Sequence, residues 1–396
     1  MRQVVRLLIR KCRSAVWHAN NQVALAQSRR EWKQKLRKAD LWIKGLAKSP
    51  PEVLVGANFV DLGGTRMHMH SIQKYSSLRI GLAPDESVMQ SISPAEFTQN
   101  FNTQFQGVDT SRFRAVHSHV FPFFIDWCRQ ARKRHNTRWI HTHHNWYYPE
   151  FGRNGIEPWQ EQFNQSFLIA AAEADVCLCV SRGQQRFLNQ QFGLRTHYLP
   201  NGVDVAACRL GNAERWRQST GIRPGFVLFV GRNDPVKDPE FFVRLAARCP
   251  ERRFVIAGQG ISVDVIEREW KLPISENLHV LGQLKHADVQ DAIAACDVLV
   301  LCSRREGLPT LVLEGLVHGK PVVVPTEQGC LEAVNDGECG FIYEIGNLDD
   351  CCQVLDRALG DKTISAHGQK YACDHYAWPE ILRKLDGIYS GQTPDT

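Results

Sequence analysis

The chain has 396 residues, 43% hydrophobic and 23% charged, a balance that excludes a disordered protein and suits about two folded domains. Its net charge of +6 is uneven: residues 1–50 hold thirteen Lys or Arg against Glu31 and Asp40, so an arm is basic and the rest is acidic. No apolar run reaches the ~18 residues of a spanning helix, and Arg2, Arg6, Arg10, Lys11 and Arg13 interrupt any leader-like core. The thirteen cysteines form no Cys-x-x-Cys pair, which suits buried thiols in a reducing cytoplasm and not a disulfide framework or a structural zinc site.

Residues 3–48 are expected to be helical, with Val5, Leu8, Cys12, Ala15, Ala19 and Val23 at three- and four-residue spacing and Trp32, Leu36, Ala39 and Ile43 resuming the pattern. Ser49-Pro50-Pro51 ends this arm. Short apolar strands then alternate with helical stretches: 53–57, 115–119, 138–142, 176–180 and 197–199. After a helix near residue 215 the alternation restarts at 227–230, 254–257, 298–301 and 321–324. Continuous apolar strands imply sheets covered on both faces, and two such series imply two doubly wound parallel-sheet α/β domains. The expected division is a helical extension over 1–50, a first domain over 51–213 and a second over 214–375. A helix near 376–390 is expected to return to the first domain.

Ligands of open α/β sheets gather at the carboxyl ends of the strands. There the segment Leu301–Pro325 brings Glu306, then a helix that Pro309 starts and Gly319 ends. The amide groups of Gly307–Leu311 point from its positive end, suited to a phosphate, and Glu314 lies ~6 Å further along the axis at ~1.5 Å per residue. After another strand come Arg232 and Lys237, two cations able to neutralise a diphosphate without a metal.

These residues resemble the retaining glycosyltransferases of family 4, which have the two-domain GT-B fold with a cleft between the domains. The resemblance rests on E-G-L-P-T-L-V-L-E at 306–314, F-V-G-R…K at 229–237, F-V-I-A-G-Q-G at 254–260, G-K-P-V-V-V at 319–324 and L-P-N-G-V-D at 199–204. D-L-G-G at 61–64, V-H-S-H at 116–119, T-H-H-N at 142–145 and V-S-R at 180–182 are similar in the first half. It implies that Arg232 and Lys237 hold the donor diphosphate, that Glu314 binds the ribose, and that Glu306 contacts the donor sugar. The Gly307–Leu308 backbone would lie near sugar and phosphate, His144 at the sugar face, and Gly63 and Gly64 along the phosphate. It further implies a metal-independent, retaining transfer from a nucleotide-sugar, UDP favoured, to a glycan or lipid-linked acceptor in cell-surface polysaccharide or lipopolysaccharide synthesis, with no cofactor. Asp238 and Asn145 depart from the family's frequent Gly and Asp.

Other readings are weaker. His117, His119, His141, His143 and His144 have no acidic neighbour in sequence, and structural histidines account for most of them better than metal ligands. Gly258-Gln259-Gly260 lacks the third Gly of a dinucleotide fingerprint, Val263 standing there. A sugar-nucleotide epimerase on the same fold and a non-catalytic binding protein are the alternatives. The basic arm, with Trp17, Trp32 and Trp42, suits either an anionic membrane surface or packing on its own first domain or on a second subunit. Nucleic acid is not expected, since no binding fold accompanies the charge.

Overall fold

The computed structural model describes residues 30–59, 63–89, 92–149, 155–361 and 363–394. The first half of the arm, with Trp17, lies outside them.

A helix over 30–48 (α1) precedes the first sheet. That sheet holds β1 (Val53–Gly56), β2 (Ile80–Ala83), β3 (Ala115–Ser118), β4 (Arg138–His143), β5 (Val176–Cys179) and β6 (His197–Tyr198). They run parallel in the order β2-β1-β3-β4-β5-β6. Between them lie α2 (Gly64–Tyr75), α3 (Glu86–Met89), α4 (Pro94–Gln106), α5 (Pro122–His135), α6 (Pro158–Glu173) and α7 (Arg182–Phe192). After α8 (Val205–Cys208) and α9 (Ala213–Thr220), a second sheet holds β7 (Val227–Val230), β8 (Phe254–Ala257), β9 (Leu278–Val280), β10 (Val298–Val300), β11 (Val322–Pro325) and β12 (Phe341–Tyr343). Its order is β12-β11-β10-β7-β8-β9, again parallel. Its helices are α10 (Pro239–Arg248), α11 (His286–Ala295), α12 (Thr310–Val317), α13 (Gln328–Ala333), α14 (Leu348–Gly360) and α15 (Thr363–Tyr376), and α16 (Trp378–Tyr389) follows.

Each sheet is sandwiched between apolar layers. In the second domain Leu228, Val255, Leu299 and Val322 face one core and Val227, Phe254, Val298 and Val323 the other, the alternation a parallel sheet covered on both sides requires. In the first domain α1 is part of one layer: Ala39, Ile43 and Leu46 are buried with Phe97, Phe101, Phe105 and Trp127, and Trp42 stacks on Phe105 with ring centres 5.6 Å apart. These apolar positions of the arm therefore cover the protein's own core.

Two strands of chain join the domains side by side. Val203 N–H donates to Tyr376 O (2.7 Å) and Trp378 N–H to Val203 O (3.2 Å). Gly202 sits against the Trp378 ring, which a Cβ there would meet at 2.5 Å. Beyond this crossing, α16 buries Trp378, Ile381, Leu382, Leu385, Ile388 and Tyr389 with Val53, Val55, Met69 and Ile72 of the first domain.

Candidate active site between two helix tips

The carboxyl ends of both sheets open onto one cleft, and two helices point their N-termini into it. α12 starts at Pro309 and α2 at Gly63, neither with a side-chain cap. Several other helices are capped, as where Ser181, Asp238, Glu327 and Asn347 accept from amides at the starts of α7, α10, α13 and α14, whereas α5, α11 and α16 share the lack of a side-chain cap. Uncapped tips keep their amide donors and positive dipole ends available to an anion. Gly64, His68, Thr310 and Glu314 line one pocket between the tips, so the tips face the same space. Gly63 has φ 106, a conformation that glycine adopts readily.

The two cations arrive from the loop after β7. Lys237 Nζ is 2.5 Å from Glu306 Oε1, with the carboxylate side chain only 10% exposed. Arg232 Nη2 lies 3.2 Å from Asp234 Oδ2 and remains half exposed. A Cβ on Gly63 would lie 3.9 Å from Arg232 Nη1, which sets the guanidinium opposite the first-domain tip. Gly258 permits the tight approach of the β7 and β8 loops, since a Cβ would fall 1.6 Å from Gly231 O. Asp238 takes φ 46. It accepts from Phe241 N–H (3.3 Å) and from Arg304 Nε (2.9 Å), and Asp is among the residues that tolerate this left-handed conformation.

Glu314 is oriented by a partner that the motif does not contain. Gln290 Nε2 donates to Glu314 Oε2 (2.7 Å), and Gln290 Oε1 lies 2.9 Å from His318 Nε2. Burial raises the Glu314 carboxyl above its ordinary pKa, with His286 and the Gln290 hydrogen bond opposing that shift.

Gly307 touches the first domain directly. A Cβ there would come 2.5 Å from His144 O and 3.0 Å from Gln184 Nε2, and Gln184 Nε2 itself donates to His144 O (2.6 Å). Asn201, in the crossover, donates from Nδ2 to Leu308 O (3.1 Å) and accepts at Oδ1 from His68 Nδ1 (3.0 Å). Arg305 reaches the opposite way, donating to Tyr148 Oη (2.7 Å).

The structure thus brings Gly63, Gly64, His144, Arg232, Lys237, Glu306, Gly307, Leu308 and Glu314 to one cleft. Asn201, His68 and Gln290 are site residues that sequence reasoning missed. Asn201 stood inside a recognised motif, but nothing local marked its two bonds.

The histidines form a layer that runs from the cleft, where His68 lines the pocket, into the first domain. His117 bonds Tyr389 Oη (2.6 Å) and Thr142 Oγ1 (2.7 Å), His141 bonds Ser118 Oγ (3.0 Å), and His119 Nδ1 lies 2.8 Å from His144 Nε2. No hydrogen-bond partner among the described residues reaches either ring nitrogen of His143. Burial is the first cause that lowers their pKa values, to about 4 for His68 and about 3 for His141 and His143, and well below the ordinary value for His117, His119 and His144. All six are neutral at neutral pH.

Two doubly wound parallel sheets meeting at such a cleft define the GT-B architecture. Residues 212–374 match the family model of glycosyl transferases group 1 and residues 98–207 that of glycosyltransferase family 4. The chain belongs to this family of group 1, family 4 glycosyltransferases.

A D-inositol 3-phosphate glycosyltransferase of Nocardia farcinica is 27% identical over 254 residues, 59% of this chain and 56% of that protein. The UDP-Gal:alpha-D-GlcNAc-diphosphoundecaprenol alpha-1,3-galactosyltransferase of Escherichia coli is 25% identical over 267 residues, 63% of this chain and 67% of that protein. The chain spans about half the length of the first of these curated relatives. HepE of Anabaena, solved in complex with UDP-glucose, shares the fold with a TM-score of 0.70 at 18% identity, over 86% of this chain and all of that one. Sucrose-phosphate synthase of Thermosynechococcus elongatus gives 0.69 at 15%, over 85% and 98%.

Proposed function

We propose that this chain is a retaining, metal-independent glycosyltransferase that moves a sugar from a nucleotide-sugar, UDP favoured, to a glycan or lipid-linked acceptor. The observation that carries the reading is the convergence of Arg232, the Lys237–Glu306 pair and two uncapped helix tips on one cleft. Such a site stabilises charge that grows on a departing diphosphate. Glu314, held by Gln290, binds the ribose hydroxyls, and Glu306 contacts the donor sugar. In the free protein Glu306 holds Lys237, and the diphosphate draws the ammonium toward itself on binding.

The acceptor hydroxyl attacks the anomeric carbon on the face from which the diphosphate leaves, and the departing phosphate oxygen takes the proton. Neutral His144 borders that face and contributes position, not charge. Arg232, Lys237 and the helix tips supply the positive charge that a metal would otherwise bring. The UDP-glucose in HepE and the UDP-Gal donor and GlcNAc-diphosphoundecaprenol acceptor in the Escherichia coli relative's name support the donor and acceptor classes, and a lipid-linked sugar acceptor suits a role in cell-surface polysaccharide or lipopolysaccharide synthesis.

Among the described residues no helix is long and apolar enough to cross a membrane. We place the enzyme in the cytoplasm, with the basic residues of 1–48 meeting the inner face of an anionic membrane. Because α1 belongs to the core, deleting residues 1–29 alone is the clean test. Reduced binding to anionic vesicles supports the arm's role, and unchanged binding removes it.

For the reaction itself, nucleotide-sugars are screened by thermal shift, and the one that stabilises is offered with candidate acceptors in EDTA. Release of nucleoside diphosphate only when acceptor is present supports transfer. An isomerised donor, or loss of all turnover in EDTA that added metal restores, contradicts the proposal.

A further inference from the structure

His68, His119 and His144 come from α2 and from the turns after β3 and β4, yet one ring nitrogen of each lies within 4.8 Å of the others. Their ring centres stand 4.8, 5.1 and 5.3 Å apart. Three imidazoles that bind one tetrahedral zinc ion through nitrogens at about 2.0–2.1 Å place their ring centres roughly 5 Å apart. We propose that His68, His119 and His144 form a three-histidine site for a borderline divalent transition ion such as zinc, and that filling it blocks the sugar face of the cleft.

The hydrogen bonds around the trio fix its chemistry. Leu308 O can only accept, so Asn201 must present its amide Nδ2 there and its Oδ1 to His68. His68 Nδ1 therefore carries the proton, and the lone pair sits on Nε2. That atom is buried with no hydrogen-bond partner, and so is His119 Nε2; the two residues are 2% and 0% exposed. A ligating histidine whose second nitrogen donates to an outer oxygen is the usual arrangement at protein-bound metals. His144 is only half-buried and His68 lines the cleft pocket, so an ion can enter from the cleft. Three neutral nitrogens leave a fourth tetrahedral position for water. The ion replaces the His119–His144 hydrogen bond and takes no part in the transfer reaction.

The blocking effect rests on the proposed glycosyltransferase activity; the binding does not. The reduced, metal-free full chain is titrated with zinc chloride, and the zinc-loaded protein is studied by X-ray absorption. We expect one zinc per chain and a shell of nitrogen or oxygen neighbours at about 2.0–2.1 Å. A shell dominated by sulfur at about 2.3 Å assigns the ion to cysteines and overturns the proposal, as does failure to bind near stoichiometry. His68→Gln retains an amide for Asn201 and should weaken zinc at least tenfold. Equal affinity in that variant, folded by circular dichroism, contradicts the site. In turnover assays zinc should inhibit the wild type and spare His68→Gln relative to its own zinc-free rate. If no transfer is found with any donor, the titration and the absorption spectrum still decide the binding.

Discussion

The second domain presents its half of the cleft from short stretches of chain, whereas the first assembles its half from distant ones. Arg232 and Lys237 share one loop, and Glu306 and Glu314 flank one helix start, so local spacing nearly dictates their geometry. His68, His119 and His144 meet only because β1, β3 and β4 are neighbours in the sheet. A function written into one loop and one helix can be read along the chain; a function written across a sheet edge waits for the topology.

Several substitutions sharpen that contrast. The largest effect is expected on the donor side. Lys237→Ala removes the cation proposed to meet the leaving group and should lower kcat by ~10²-fold or more with the fold intact; near-normal turnover would remove that role. Glu314→Gln should raise the donor KM about tenfold or more while kcat changes less, because a hydrogen bond to a charged group contributes ~1.5–3 kcal/mol. An equal fall in kcat with KM unchanged would deny it the ribose.

On the first-domain side the effects fall on stability. Gly202→Ala drives a Cβ to 2.5 Å from the Trp378 ring and should destabilise by ~1–3 kcal/mol in urea melts. An unchanged midpoint would mean the crossover yields freely. Between pH 6.5 and about 4 the unfolded chain takes up a proton that buried, folded His68 refuses. Stability present above that window is therefore lost as pH falls, by up to ~1.4 kcal/mol per pH unit for each such histidine. A flat melting profile from pH 7 to 4.5 would contradict neutral, buried imidazoles. The smallest effect belongs to Asp238→Gly. It relieves the left-handed backbone but loses a cap and the Arg304 contact, so a net change within ~1 kcal/mol is expected.

The same division governs how much of the fold was legible. β7 and β8 lie at 227–230 and 254–257 as their apolar runs imply, because interior parallel strands are apolar on both faces. β2, β9 and β12, which are not among the strands expected from apolar runs, are all sheet edges of three or four residues. They are short and partly open: Ile80 and Gly81 of β2 are only half-buried, and the apolar run of β12 is just Phe341–Tyr343. Trp32, Leu36, Ala39 and Ile43 correctly marked α1 as amphipathic, but periodicity does not say what the apolar stripe covers. The layer containing Phe97 and Phe105 does. Likewise the E-G-L-P-T-L-V-L-E motif led to Glu314, while Gln290 on α11 entered the site only through packing of α11 beside α12.

The position of a bound diphosphate decides the function of the cleft. A crystal structure with UDP bound should place the phosphates between the α12 tip, Arg232 and Lys237, with Glu314 on the ribose and Gly63 across the cleft. UDP bound elsewhere, or phosphates that leave Lys237 still paired to Glu306 and out of reach, would contradict it.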